Sequence, residues 1–335
     1  MSRVVMVTGR GGPDVLEVVE RAAPSPGRGA VRIAVEAAGV AFGDVMRRRG
    51  MLAPRPPFTP GYDVVGRVEA VGQGAEPALV GRRVAAMMPK VGFGGYADHV
   101  VVPVARLVQV PDGVDPVDAV CLGLNYITAY QLLHRIVPLG PGKRALIHGA
   151  AGGVGTALMD LGQRLGVELY GTASAGKHAL LRERGATPID YRSEDFVQRI
   201  AELTGDGVDA VFDSVGGAHL RRSYRTLRRG GTLVSFGLTG DSDRGWRGML
   251  SQAGIYLGLK LRFDRIRLRL YMITATPGTG WRRCRQDWAA LLTQHARGEL
   301  APLVGARVPL ADVRHAHELV DGARVTGKVV LLCGA

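Results

Sequence analysis

The chain is poor in cysteine, lysine and aromatic side chains, and each shortage removes a class of protein. Only three cysteines occur in 335 residues, Cys121, Cys284 and Cys333, far apart and without a C-x-x-C pair. That argues against a disulfide framework or a thiolate metal knot, and points to reduced thiols in the cytoplasm. No uncharged apolar run approaches the ~18 residues needed to cross a bilayer, and the apolar stretch at residues 4–7 is too short for a secretory core. A membrane is therefore not an expected partner. Lysine stands only at positions 90, 143, 177, 260 and 328, so the net charge of +13 is almost wholly arginine. The arginine clusters at 47–49, 221–222, 228–229 and 282–283 are scattered and lack interleaved aromatics. Solvated helix and loop faces explain them more simply than a stacking platform for nucleic acid, although excess positive charge can assist capture of an anionic substrate.

Glycine, by contrast, is abundant, and one cluster of it is informative. Gly149-Ala-Ala-Gly-Gly-Val-Gly155 follows the apolar run at 144–148 and opens a helical pattern at 154–165. Strand, glycine turn and helix form a phosphate-binding arrangement, because the backbone can approach a pyrophosphate whose charge the helix N-terminus favours. Ala150 replaces one glycine of the usual G-x-G-x-x-G, and a glycine cluster alone also suits a plain turn. The following residues decide it. Strands are expected at 167–172, 188–190, 208–212 and 232–236, alternating with helices at 177–184, 194–203 and 218–229. That alternation predicts a doubly wound parallel sheet of the Rossmann kind binding a dinucleotide.

The cofactor is read at the end of the second strand. An NAD site commonly puts Asp or Glu there to hold the ribose 2′-hydroxyl. This chain has Thr172-Ala-Ser-Ala-Gly-Lys177, with no carboxylate. Ser174 can donate to a 2′-phosphate and Lys177 can supply charge, so NADPH is the expected cofactor; Lys177 also suits a solvated surface cation.

Around this block the texture changes. Residues 4–8, 30–37, 61–71, 83–88 and 96–103 read as short strands of an antiparallel, barrel-like lobe. Residues 240–261 read as irregular. Residues 265–273 alternate with period two and read as a sixth, edge strand of the central sheet; 282–297 read as helix and 327–332 as a closing strand.

The order of these parts resembles the medium-chain dehydrogenase/reductases, in particular their zinc-free quinone oxidoreductase and enoyl reductase branches, over essentially the whole length. The resemblance rests on Ala38-Gly-Val-Ala-Phe-Gly-Asp44, Pro60-Gly-Tyr-Asp-Val-Val-Gly66, Gly81-Arg-Arg-Val84, Thr128-Ala-Tyr130, the 149–155 turn, Thr172-Ala-Ser174 with Lys177, Asp213-Ser-Val-Gly-Gly217 and Gly327-Lys-Val-Val-Leu331. It implies an α/β architecture in which a GroES-like β-barrel catalytic domain, residues 1–122 and 277–335, carries an inserted Rossmann domain, residues 123–276. It further implies Thr128, Gly152, Gly153, Val154, Ser174, Lys177, Tyr191, Val215, Phe236, Gly237 and Lys328 at the NADPH site, and a homodimer joined through the sixth strand.

The same resemblance bears on metal. Zinc-bearing branches place Cys where this chain has Ala41, His-Glu at Tyr62-Asp63, and a second Cys near Leu124. Neither Ala41 nor Leu124 offers a donor that zinc accepts, and His148, His315 and His317 are not spaced to replace them, so no catalytic metal is expected. The implied reaction is zinc-independent hydride transfer from NADPH to an activated double bond of an enone, quinone or enoyl thioester. Tyr62 and Tyr126 offer hydrogen-bond donors or a proton source, and Asp44 matches the family's cleft aspartate, although Ala41 replaces its usual Asn partner. Each of these also suits a buried structural role. A zinc-free alcohol or ketone dehydrogenase and a noncatalytic NADPH- or RNA-binding protein share the cofactor features and stay open on sequence alone.

Overall fold

The computed structural model describes residues 1–88, 93–237, 245–261, 265–273 and 279–334. They divide into two compact units, residues 1–127 with 276–335, and residues 128–275. The first unit opens with strand β1 (Ser2–Val7) paired antiparallel to β2 (Leu16–Arg21). Next come β3 (Ala30–Val40), helix α1 (Phe42–Arg48), β4 (Asp63–Val71), β5 (Arg83–Met87), β6 (His99–Pro103) and β7 (Val108–Gln109). Val31, Ile33 and Val35 alternate inward along β3, as period-two patterning requires of a half-buried strand. Helix α2 (Pro116–Cys121) starts where Asp115 accepts the N–H of Val117 at 2.8 Å and a proline occupies its first turn. Helix α3 (Leu124–Gln131) then leads out of this unit.

The second unit is the expected Rossmann sheet. Strands β8 (Arg144–His148), β9 (Glu168–Ala173), β10 (Ala186–Asp190), β11 (Val208–Asp213), β12 (Leu227–Ser235) and β13 (Arg267–Leu270) lie in the order β10-β9-β8-β11-β12-β13, all parallel. Helices α4 (Gly153–Arg164), α5 (His178–Glu183), α6 (Phe196–Thr204) and α7 (His219–Arg225) alternate with them. The order reverses between β8 and β11, the position where ligands of open α/β sheets gather.

Two sequence expectations need correction here. The helix expected over 218–229 stops at Arg225, and Leu227 already pairs with Val208 in the sheet. The arginine-rich stretch after it favours helix locally, but parallel pairing to β11 satisfies its backbone instead. Residues 245–260, expected to be irregular, form helix α8 (Gly245–Lys260). Its sequence is apolar on every side and rich in glycine, so no single stripe announces it. Ile255 and Leu259 bury against Leu220 and Tyr224 of α7, and Gln252 accepts the Gly217 N–H at 3.1 Å while donating to Ser235 Oγ at 3.1 Å. The rest of the stretch, residues 240–244, lies outside the described residues.

The chain then returns to the first unit with α9 (Thr279–Ala296), β14 (Val304–Pro309), α10 (Val313–Asp321) and β15 (Lys328–Leu332). β15 inserts antiparallel to β3 and parallel to β14, completing a seven-stranded sheet. Its core joins Val31, Ile33, Val64, Val84 and Tyr96 from the N-terminal part to Val313, Val329 and Leu331 from the tail. Trp288 of α9 is buried and donates its indole N–H to the Ala119 carbonyl at 3.1 Å. No helix among the described residues is long and apolar enough to cross a membrane.

Close strand packing makes one glycine position testable. A Cβ at Gly66 on β4 would stand 2.1 Å from the Ala34 carbonyl oxygen and 2.8 Å from Val35 Cα. Gly66→Ala is expected to cost about 1–3 kcal/mol by overpacking and to lower the thermal midpoint by several degrees. Gly254→Ala, whose Cβ meets open space on α8, leaves the midpoint unchanged or raises it.

Candidate active site

The candidate dinucleotide residues of the second unit are gathered by its parallel sheet. Gly152, Gly153 and Val154 follow β8, Ser174 and Lys177 follow β9, Tyr191 follows β10, Val215 follows β11, and Phe236 and Gly237 follow β12. Because all these strands run the same way, these residues collect at one edge of the sheet, beyond the carboxyl ends. Thr128 is buried within α3.

The glycine turn is shaped for close approach. Gly152 is the N-cap of α4, is exposed, and has no side chain to satisfy the first N–H groups of the helix. Those open donors suit an anion. A Cβ at Gly155 would sit 2.4 Å from the Gly149 carbonyl oxygen, so only glycine permits the turn to fold back on itself. Gly149 itself takes φ +67°, which glycine adopts without penalty. Ala150, the departure from the usual pattern, is fully buried and donates its N–H to the Thr172 carbonyl at 3.1 Å. That contact ties the turn to the end of β9.

Beyond β9 and β10 the structure brings Arg192, which the sequence reading did not single out, into the surroundings of Lys177. Burial pushes the Lys177 ammonium below its usual pKa, and the Arg192 charge pushes it the same way. Two cations sharing one environment create a place that an anion relieves. Tyr191 is 54% exposed, with the Arg192 guanidinium 5.8 Å from its ring centroid. Asp190, the carboxylate nearest the end of β10, accepts from the Arg192 N–H and the Ser193 hydroxyl, each at 3.0 Å. Glu168 opens β9 and accepts the Tyr170 hydroxyl. The spacing of Arg192 after a strand end was the available signal.

At the switch point lies a buried polar network. Asp213 Oδ1 accepts the N–H groups of Val215 and Gly216, both at 2.8 Å. Asp213 Oδ2 meets Ser223 Oγ at 2.6 Å and His219 Nδ1 at 3.0 Å, while Ser223 Oγ also meets His148 Nε2 at 3.1 Å. Thr172 Oγ1 lies 3.0 Å from His148 Nδ1, and Ser214 donates to the His148 carbonyl at 3.1 Å. His148, Asp213 and His219 have the donor types and proximity to hold a metal ion. The Ser223 hydroxyl stands between them, within hydrogen-bond distance of all three. Burial lowers the His148 pKa to about 3, and at Asp213 burial is outweighed by the His219 hydrogen bond, by charge interactions with His148 and His219 and by the Ser223 hydrogen bond, which hold it at about 2.

The first unit holds its own group of candidate residues. Asp44 is fully buried and its oxygens accept the N–H groups of Ala41 and Gly61 and the Tyr96 hydroxyl, all at 3.0 Å. Burial raises its pKa to about 6. With its lone pairs directed at three internal donors, Asp44, read from the sequence as the cleft aspartate, braces the loop between α1 and β4. Asp63 Oδ2 accepts the Leu124 N–H at 2.8 Å, so the two aspartates draw Ala41, Tyr62 and Leu124 into one neighbourhood. The Lys328 side chain, expected at the NADPH site, is 2% exposed and its Nζ lies 3.8 Å from Asp63 Oδ2. A charge so deeply buried needs an opposite partner, and Asp63 provides it. Tyr62 and Tyr126 are both buried, and burial pushes the Tyr62 hydroxyl up to about 12.

A six-stranded parallel sheet of the Rossmann kind in one unit and a seven-stranded sheet in the other are the parts of the two-domain medium-chain dehydrogenase/reductase architecture. Residues 27–112 match the family model described as alcohol dehydrogenase GroES-like domain, and residues 185–331 the one described as zinc-binding dehydrogenase. The human synaptic vesicle membrane protein VAT-1 homolog is 32% identical across 99% of this chain and 86% of that protein. Its rat counterpart is 39% identical over 242 residues, a match spanning 70% of this chain but only 59% of the rat protein. The Escherichia coli quinone oxidoreductase, solved in complex with NADPH, superposes with a TM-score of 0.89 at 29% identity, covering 99% of this chain and all of that one. The chain belongs to the medium-chain dehydrogenase/reductase superfamily, in its quinone oxidoreductase and VAT-1 branch.

The switch-point network sets a pH dependence of stability. Unfolded histidine titrates near ~6.5, whereas folded His148 stays neutral down to about 3. As pH falls through that window the unfolded chain gains a proton that the folded one refuses, so stability declines by up to ~1.4 kcal/mol per pH unit for this group. The Asp213 contribution, present above ~3.9, is lost as pH falls toward its folded value of about 2. Denaturant unfolding between pH 7 and 4 is expected to show this slope, and His148→Gln to reduce it by about one proton; an unchanged slope contradicts the assignment.

Proposed function

We propose that this protein is an NADPH-dependent, zinc-independent reductase of activated carbon–carbon double bonds in enones, quinones or enoyl thioesters. The observation that carries the cofactor reading is the pairing of an uncapped glycine turn at the switch point with Ser174, Lys177 and Arg192 at the far end. The residues fit the group: the N-cap Gly152 leaves the first N–H groups of α4 without a side-chain cap, and the strand ends offer Ser174, Lys177 and Arg192 to a 2′-phosphate. NADPH bound there would supply the hydride. The chain's own residues hold it, with the α4 N-terminus on the pyrophosphate, and Asp213 holds the backbone around Val215 in place.

The donor set supports a reaction without zinc. Ala41 and Leu124 carry no lone pair, and Asp63 is engaged by Lys328 and the Leu124 N–H. Substrate activation then falls to hydrogen bonding and fixed charge, for which the Tyr62 hydroxyl, kept protonated by its raised pKa, is suited. A homodimer joined through β13 accords with its place at the sheet edge and with the exposure of Leu270 and Met272 beside it.

Fluorescence titration is expected to give tighter binding of NADPH than of NADH, and Lys177→Ala to weaken NADPH by roughly tenfold while sparing NADH. Equal affinity for both cofactors, or an unaffected variant, rejects the 2′-phosphate reading. Screening enones, quinones and enoyl thioesters with NADPH tests the reaction; oxidation of simple alcohols with NADP⁺ in their place favours a dehydrogenase. Light scattering is expected to give a dimer mass, reduced toward the monomer by Leu270→Asp.

A further inference from the structure

We propose that His148, Asp213, His219 and Ser223 form a structural site for a zinc-like divalent transition-metal ion, which clamps β8, β11 and α7 together beside the glycine turn. The site lies in the second unit and goes beyond the reductase reading. It is separate from Ala41, Tyr62 and Leu124, the positions of the ligands in zinc-bearing branches, which belong to the first unit.

Topology brings the four side chains together. His148 is the last residue of β8 and Asp213 of β11, neighbouring parallel strands in which Ile147 pairs with Phe212. His219 and Ser223 stand four residues apart on α7 and so share one face of that helix. One donor atom from each of His148, Asp213 and His219 lies within 4.8 Å of the other two. Asp213 Oδ2 is 3.0 Å from His219 Nδ1, and Ser223 Oγ is 2.6 Å from Asp213 Oδ2, 3.1 Å from His148 Nε2 and 3.2 Å from His219 Nδ1. In a tetrahedral zinc shell with bonds of about 2.0–2.2 Å, neighbouring donors are roughly 3.4 Å apart. The four separations here fall short of that by less than about 1 Å. An ion therefore takes the place of the hydrogens that hold these donors together, and a slight expansion of the cluster receives it without a preformed cavity.

Two of the ligands are already oriented by outer partners, as metal ligands in proteins generally are. His148 Nδ1 meets the Thr172 hydroxyl at 3.0 Å, which turns Nε2 toward Ser223. Asp213 Oδ1 accepts the Val215 and Gly216 N–H groups, both at 2.8 Å, which leaves Oδ2 to face His219 and Ser223. The Phe196 ring, its centroid 4.8 Å from that of His148 and 5.0 Å from that of His219, covers the cluster with apolar surface. Arg222, stacked on Phe196, brings a positive charge nearby, and Asp195 offsets it at 2.9 Å. His148, Asp213 and Ser223 are buried, whereas the His219 side chain is 22% exposed, so the cluster meets solvent at that imidazole. Two imidazoles, a carboxylate and a hydroxyl suit zinc and its first-row neighbours, whereas calcium and magnesium take shells of oxygen. Four protein donors close the shell, as in structural rather than catalytic zinc sites.

Co²⁺ is the probe, because its visible d–d bands distinguish a four-coordinate ion from the hydrated six-coordinate one. Added to the full chain, stripped of metal and carrying no histidine tag, Co²⁺ is expected to bind in a one-to-one ratio with the bands of a four-coordinate site, and Zn²⁺ to abolish those bands by displacement. Zn²⁺ should also raise the thermal midpoint, since only the folded chain assembles the four donors. His219→Ala should remove both the four-coordinate bands and the Zn²⁺ effect on the midpoint. Thr172→Val, which takes away only the outer partner of His148, should weaken Co²⁺ by roughly 10–100-fold. If the wild-type chain leaves Co²⁺ six-coordinate, or if His219→Ala and Thr172→Val bind it as the wild type does, the proposal is overturned. Should His219→Ala fail to fold, His219→Asn carries the same comparison, because its amide still reaches toward Asp213 but is not a donor that zinc favours.

Discussion

The architecture depends on buried carboxylates that accept backbone N–H groups. Asp44, Asp63 and Asp213 have no solvent exposure, and each accepts from amides of a loop that carries site residues. A buried carboxylate without donors is costly, whereas one that collects several charge-assisted hydrogen bonds fixes the geometry of everything attached to them. Asp44 thereby joins α1 to the loop before Tyr62, Asp63 joins that loop to α3, and Asp213 shapes the turn that leads to α7. Removing any of them leaves orphaned N–H groups as well as a cavity, so the loss is larger than one ordinary hydrogen bond.

The balance differs from one to the next, and the difference is informative. Asp44 and Asp213 are equally hidden, yet the first is pushed up to about 6 and the second held at about 2. Around Asp44 the three donors and the Arg47 charge do not fully offset desolvation. Around Asp213, His219, His148 and Ser223 add hydrogen bonds and charge on top of two backbone amides, and together they outweigh it. Asp44 is therefore a brace working close to its limit, while Asp213 is a firmly ionised anchor at the centre of the cofactor edge.

Much of the Rossmann unit was legible because its signals are local. The alternation of apolar strands with glycine-terminated helices, the glycine turn at 149–155 and the missing carboxylate after β9 each lie within short windows of sequence. The boundary between α7 and β12 was not legible, because pairing of Leu227 with Val208 overrides what the arginine-rich stretch prefers by itself. Helix α8 was missed for a related reason: its buried face is defined by α7 rather than by a stripe in its own sequence. The partners of Lys328 and Asp44 were not legible either, because Asp63 and the Gly61 and Ala41 N–H groups reach them only through the fold.

The sequence by itself determined the class of fold and the glycine turn at 149–155, and it shows side chains without zinc donors at Ala41 and Leu124, since periodicity and residue chemistry are written in contiguous positions. Tertiary structure decided which charges are spent internally. Asp63 finds Lys328 and Arg48 finds Asp321 across most of the chain's length, and His148 meets Asp213 through Ser223 only when β8, β11 and α7 are packed together. Burial turns such distant encounters into strong constraints, because a polar group removed from water must take whatever partner the fold brings to it.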